Sequence, residues 1–180
     1  AKQLLDWQGK PFVRQVAETA LQAGLSPVIV VVGAYAEEVS KAVEDLPVHL
    51  VRNSSWEQGH ATSVICGIHS LPEKTGAAVF LLCDQPQVPL RLVRSLIEMH
   101  QRTLMAIVAP LVDGQRGNPV LFDRDTFGDF AHLSLEQGGR TLFSRFPVQW
   151  LPWHDPNLLL DVDTQEDYHR LVEHYQAGQG

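Results

Sequence analysis

The chain has 180 residues, 44% of them hydrophobic and 19% charged, enough to bury the core of one domain and too few for two of ordinary size. Fourteen Lys and Arg against twenty-one Asp and Glu leave a formal charge of −7, so no broad basic field is available to hold nucleic acid or an anionic membrane. The apolar runs are short and broken by charge, and the mean hydropathy is −0.08, which argues against a transmembrane helix. Cys66 and Cys83 are too far apart for a CxxC pair and no secretory-signal pattern is read at the start, so a reducing, cytoplasmic setting is expected.

Apolar positions Phe12, Val16, Ala20 and Ala23 fall near helical spacing, predicting an amphipathic helix from Pro11 to about Ala23 with Gly24 as its stop. Val28 to Val32 is a β-branched run, apolar on both faces, as in a central strand covered by helices. A helix around 36–43 and a strand around 48–51 complete a βαβ unit. The loop 52–59 leads to a helix over 61–70, and Ala77 to Cys83 reads as a second fully apolar strand. Pro89 suits the first turn of a helix running to about Arg102. Strand-like segments follow at 106–109 and 120–122, separated by a turn at 115–118. A short helix is expected over 123–130, and another runs from Gly138-Gly139 through Phe146. Late strands are expected at 148–151 and 158–162. Thr164-Gln165-Glu166-Asp167 is a capping-box pattern opening a last helix whose inner face carries Tyr168, Leu171, Val172 and Tyr175. Strands alternating with helices, with no repeat and no linker, predict a single α/β sandwich domain.

In such sheets ligands bind beyond the carboxyl ends of strands, which singles out Asp84, carried out of a buried strand just before Pro86. Asp161 and Asp163 form a second carboxylate site and would share a face if a strand ran through them. On local grounds Asp163 or Thr164 serves equally well as a helix cap. An EF-hand loop would need Gly where Glu166 stands, and a DxDxT phosphoaspartate motif would need Thr where Gln165 stands. Two distant carboxylates at strand ends suit Mg²⁺, which takes one or two carboxylates plus phosphate oxygens and water, and so point to a nucleotide site. The eight His residues show no metal-ligand spacing. Cys83 reads as a buried strand thiol, and the four Trp residues as packing. The absence of a Walker A or GxGxxG pattern removes P-loop kinases and dinucleotide dehydrogenases.

Lys2-Gln3-Leu4-Leu5, Asn53 through Trp56 to Gly59 and Ser63, Asp84-Gln85-Pro86, Arg116-Gly117-Asn118-Pro119, and Asp161-Val162-Asp163-Thr164 with Asp167-Tyr168 follow one another in this order. In that order and spacing the sequence resembles the molybdenum cofactor cytidylyltransferases and related molybdenum cofactor nucleotidyltransferases, over nearly the whole chain. The resemblance implies a three-layer sandwich around a mostly parallel, mixed sheet of the nucleotide-diphospho-sugar transferase type. It also implies transfer of CMP from CTP to a molybdopterin-type cofactor with release of pyrophosphate. Asp84 and Asp163 match the metal-binding carboxylates, with Mg²⁺ as cofactor, and Lys2 matches a lysine that stabilises phosphate charge. Asn53, Gly59 and Ser63 match positions facing the nucleoside, and Asn118 and Arg140 are the acceptor-side candidates, Arg140 through bidentate phosphate binding.

Two departures qualify the resemblance. Leu135-Glu136 stands where the family commonly has Gly-Asp before the Gly-Gly-Arg segment, which bears on the acceptor. Family members also begin with an apolar strand and a Gly-rich phosphate loop ahead of the Lys-Gln-Leu-Leu segment, so residues 1–180 are expected to be a single nucleotidyltransferase domain incomplete at its amino end. The alternatives are a guanylyltransferase or sugar-phosphate nucleotidyltransferase of the same fold, and a non-catalytic carrier or chaperone for the cofactor. A molybdenum hydroxylase, or its maturation chaperone, is the implied protein partner.

Overall fold

The computed structural model describes residues 1–132 and 138–177, apart from the side chains of 138–140 and 176–177. A 3-10 turn, Lys2–Leu4, leads into a small antiparallel hairpin of β1 (Asp6–Trp7) and β2 (Lys10–Pro11), and α1 (Phe12–Gln22) begins at once. A βαβ unit follows, with β3 (Ile29–Val32), α2 (Ala36–Lys41) and β4 (His49–Arg52), and β3 and β4 pair in parallel. Next come α3 (His60–His69), β5 (Ala77–Phe80), α4 (Leu90–Thr103), β6 (Ile107–Val112), β7 (Gln115–Arg116), β8 (Val120–Asp123) and α5 (Phe127–Phe130). The chain finishes with β9 (Val148–Pro152) and α6 (Gln165–Ala177).

The larger sheet runs β5-β8-β6-β7, with β9 on β6. It is mixed, since β6 and β9 are parallel whereas β8 is antiparallel to both β5 and β6. Alternation along β6 and β8 divides the core by parity, as the pleat requires. Val108, Val112 and Leu121 face Leu92, Val93 and Leu96 of α4. Ile107, Ala109, Val120 and Phe122 face Ile68 of α3, Phe130 of α5 and Leu142 of the 3-10 turn Gly138–Ser144. Helices on both faces of the strands make three layers.

The two parallel strands β3 and β4 are joined to the larger sheet through these helices. Val13 and Ala17 of α1 and Val39 of α2 pack with Val30 and Val32 of β3, and Cys83, just beyond β5, enters the same cluster. On the other face α3 does the same work: a Cβ built on Gly67 would stand 3.4 Å from Val31 Cγ2, while Val64 and Ile68 pack with Phe80 of β5. Among the described residues β3 pairs only with β4 and β5 only with β8, so each keeps one unpaired edge.

Two expected strands differ in the structure. The strand expected over 77–83 stops at Phe80, which faces Val120; the partner strand is preceded by Pro119, whose nitrogen has no hydrogen to extend the ladder. No strand forms over 158–162. Asp155 instead accepts from the Asn157 N–H at 3.0 Å and starts a 3-10 turn over Pro156–Leu159. The Gln87 side chain then takes the carbonyls of Asn157 (3.1 Å) and Leu160 (2.6 Å), groups a ladder would have used. The last helix opens as the capping box predicts, with Asp167 N–H donating to Thr164 Oγ1 and Thr164 N–H to Asp167 Oδ2. Its inner face, Tyr168, Leu171, Val172 and Tyr175, closes over Trp7, Phe12 and Val162.

Phe130 is 1% exposed and lies 5.4 Å, ring to ring, from Phe80 and 5.1 Å from Phe122. Truncating it to Ala removes an aromatic core at the junction of sheet and helices, so F130A is expected to lose about 3–5 kcal/mol of stability. Urea unfolding followed by circular dichroism measures this as a lower midpoint with unchanged slope.

Candidate functional site

Asp84 sits at the end of the apolar run beyond β5, and Asp163 lies two residues before α6. Lys2 reaches both from the opening 3-10 turn, its ammonium donating to Asp84 Oδ2 at 3.2 Å and to Asp163 Oδ1 at 2.7 Å. Burial works against the Lys2 charge, but the hydrogen bond to Asp163 and the negative charge of Asp84 outweigh it and hold its pKa above the ordinary value. The second oxygen of Asp84, Oδ1, is buried and has no hydrogen-bond partner among the described residues.

Packing from α6 explains how Lys2 gets there. Tyr168 donates its hydroxyl to the carbonyl of Asp6 at 2.9 Å, and Tyr175 stands edge-on to Trp7 at 4.6 Å. The opening segment is thereby held against the helix that follows Asp163. The Asp84 loop is bolted to the same region: Val162 N–H donates to the Asp84 carbonyl at 3.2 Å, and Gln85 Nε2 donates to Asp161 Oδ1 at 2.5 Å. Burial raises the pKa of Asp161, repulsion from Asp84 and Asp163 adds to it, and the Gln85 hydrogen bond opposes both. Asp161 and Asp163 therefore meet different partners, Gln85 and Lys2.

The nucleoside-side residues form a second group. Asn53 is 5% exposed and donates to Thr62 Oγ1 (2.8 Å) and Ser63 Oγ (3.0 Å), while its carbonyl oxygen accepts from Ser55 N–H (2.9 Å). Thr62 passes the bonding on to the carbonyls of Ser55 and Gly59. Gly59 opens α3 with φ +120° and ψ 166°, a conformation open essentially to glycine. Trp56 is 43% exposed and lies across Gly33, where an added Cβ would come within 2.6 Å of the tryptophan Cβ. Asn118, half-buried ahead of β8, sits two residues after Arg116, whose guanidinium covers the Phe143 ring at 4.3 Å. The Arg140 side chain lies outside the described residues.

The structure thus joins Lys2, Asp84 and Asp163 directly and ties Asn53, Gly59 and Ser63 into one loop-to-helix unit; among the described residues no hydrogen bond links Asn118 to either. Sequence reasoning missed Thr62 and Gln87. The signal for Gln87 was present, as an amide between Pro86 and the apolar Val88 at the entrance to a buried helix face, which asks what partner it finds inside. Thr62 carried no comparable signal.

Residues 1–153 match a family model described as the MobA-like NTP transferase domain. The chain belongs to the MobA-like NTP transferase family. Asp163 lies beyond the matched span. The nicotine blue oxidoreductase of Paenarthrobacter nicotinovorans is 30% identical over 179 residues, covering 95% of this chain and 87% of that protein. The Rv0371c protein of Mycobacterium tuberculosis H37Rv, solved in complex with manganese, superposes with a TM-score of 0.85 at 28% identity, over 96% of this chain and 91% of that one. The molybdopterin-guanine dinucleotide biosynthesis protein A of Archaeoglobus fulgidus, at 15% identity and a TM-score of 0.69 over 98% of this chain and 91% of its own, shares the MobA-like fold. No helix among the described residues is long and apolar enough to cross a membrane.

Cys83 adjoins the site without taking part in it. Burial first, and the Asp84 charge second, push its thiol up to about 12, leaving about one molecule in ten thousand as reactive thiolate at pH 8. Iodoacetamide at pH 8 is expected to leave Cys83 unmodified in the folded protein and to label it in urea, as read by peptide mapping.

Proposed function

We propose that this MobA-like protein transfers CMP from CTP to the molybdopterin-type molybdenum cofactor and releases pyrophosphate. The observation that carries the reading is the convergence of Lys2, Asp84 and Asp163 from three distant parts of the chain. In this reaction an acceptor phosphate oxygen bonds to the α-phosphorus of CTP while the bond from that phosphorus to the bridging oxygen breaks, and pyrophosphate leaves with the bonding pair. The acceptor is already a nucleophile, so the protein's part is alignment and charge stabilisation, with no Ser or Cys nucleophile.

A divalent cation fits the residues present. The free, buried Asp84 Oδ1 is an acceptor in need of a partner, and the two carboxylates supply the hard oxygens Mg²⁺ prefers. Among the described residues no three His, Cys, Asp or Glu side chains are arranged to hold a metal, so water and phosphate oxygens would have to complete the shell. Asp84 and Asp163 would hold Mg²⁺, which supplies charge neutralisation to the triphosphate. Lys2 keeps its positive charge beside the same phosphates. The Asn53–Gly59–Ser63 unit faces the nucleoside, and Asn118 with Arg140 receives the acceptor.

Residues 1–180 are read as a single nucleotidyltransferase domain. A cytoplasmic setting is supported by two free thiols, and the product would pass to a molybdenum hydroxylase or its maturation chaperone.

The relative from Paenarthrobacter nicotinovorans supports a second reading, an oxidoreductase acting on nicotine blue. Pyrophosphate release by the full encoded protein, compared across CTP, GTP, ATP and UTP with molybdenum cofactor, separates the two. The expected result is turnover favouring CTP; a clear GTP preference sinks the cytidylyl assignment. Redox turnover of nicotine blue, without pyrophosphate release, would favour the second reading. D84N keeps the shape of the side chain and removes the charge a cation needs, so it is expected to lower turnover at least a hundredfold with an unchanged circular dichroism spectrum; unchanged turnover removes Asp84 from the site.

A further inference from the structure

Gln85 is 2% exposed, and the only described hydrogen bond of its side chain is the 2.5 Å one that Nε2 donates to Asp161 Oδ1; Oε1 is buried without a partner among the described residues. Such an amide is a poor choice for stability alone, because a buried polar atom left unsatisfied costs about 1–3 kcal/mol. Its placement is informative. Gln85 follows Asp84, its partner Asp161 stands two residues before Asp163, and the Val162 N–H bonds the Asp84 carbonyl between them. Gln87 repeats the device one turn away, holding the carbonyls of Asn157 and Leu160, and Tyr175 of α6 donates to the Gln87 carbonyl at 3.0 Å. The two segments that carry the cation-binding carboxylates are thus clasped side by side, although no strand pairing joins them.

We propose that Gln85 is a positioning residue: through its hydrogen bond to Asp161 it sets the spacing of the Asp84 and Asp163 carboxylates for the divalent cation. The inference deepens the nucleotidyltransferase reading and rests on it for the identity of the reaction, but not for the identity of the cation pair. Polar groups that orient ligating carboxylates are commonly worth 10–100-fold in metal affinity or activity. Replacing Gln85 by Leu keeps the volume, removes the donor and leaves Asp161 free to turn, so the two carboxylates lose their common reference. A role confined to stability would lower the melting temperature and leave cation affinity alone.

The test is a Mn²⁺ titration of the full encoded protein without nucleotide, read by electron paramagnetic resonance, alongside CTP turnover. Q85L is expected to bind Mn²⁺ at least tenfold more weakly than the unmodified protein, and to lose kcat with the KM for CTP changed less than threefold. The exchanged pair Q85E with D161N reverses donor and acceptor across the same contact and is expected to restore Mn²⁺ affinity to within threefold. Q85L that is folded and binds Mn²⁺ within twofold of the unmodified protein overturns the proposal, even with a lowered melting temperature. Should Q85L fail to fold, the exchanged pair decides, and a folded exchanged pair that binds Mn²⁺ tenfold more weakly overturns it. If the unmodified protein releases no pyrophosphate, the functional reading fails while the Mn²⁺ comparison still judges Gln85.

Discussion

Asp84 and Asp163 carry like charges that repel each other, and in this fold the Lys2 ammonium stands between them. At contact distances such repulsion is about 1 kcal/mol in water and several-fold larger in a partly dry cleft. Half-exposed Lys2 would offset little of this by itself, as ion pairs open to solvent are weak. What makes the pairing effective is that its three members are delivered already ordered. The Asp84 loop emerges from half-buried β5, Asp163 precedes a capped helix, and Lys2 is tethered through Asp6 and Trp7 to that same helix.

The sheet serves this arrangement by ending its strands early. Beyond Phe80 the chain gains no ladder partner on β8, so Leu81 to Cys83 are held by side-chain packing, and Cys83 enters clusters on both the β3 side and the α6 side. Backbone groups that a longer strand would have satisfied are available to loops. The segment after β9 uses this freedom, turning through a 3-10 helix and accepting bonds from Gln87 in place of a neighbouring strand. Irregular backbone inside a domain is tolerable where polar side chains complete its bonding, and the buried Gln87 does so for the segment that leads to Asp163.

Periodicity made most of the fold legible. The helices over Phe12–Gln22, His60–His69 and Leu90–Thr103 fall within about two residues of their sequence spans, because each has one apolar face and a clear stop. The strand expected at 158–162 was illegible for a definite reason: Leu158, Leu160 and Val162 alternate with the right period, yet Leu158 packs against α4 while Leu160 and Val162 pack against α6, and the backbone bonds go to Asp155 and Gln87. Alternation reports burial, not hydrogen bonding. At the site, Asp84 was legible from its position after an apolar strand, and Lys2 and Asp163 from the ordered motifs. The Gln85–Asp161 contact was not, since it depends on a long-range fold-back that no local pattern encodes.

Asn53 shows how the same motif can hold two kinds of residue. An asparagine amide offers two donor hydrogens and a carbonyl oxygen, and here these are engaged with Thr62, Ser63 and Ser55. A side chain so occupied cannot also read a base edge without giving up a bond made in the dry interior, a loss of about 1–3 kcal/mol. Its contribution is to fix the start of α3, where glycine at position 59 permits the backbone path. In the proposed cytidylyl reading, discrimination among bases falls to groups that Asn53 holds in place, the backbone around Gly59 and the Ser63 hydroxyl, and not to the asparagine itself.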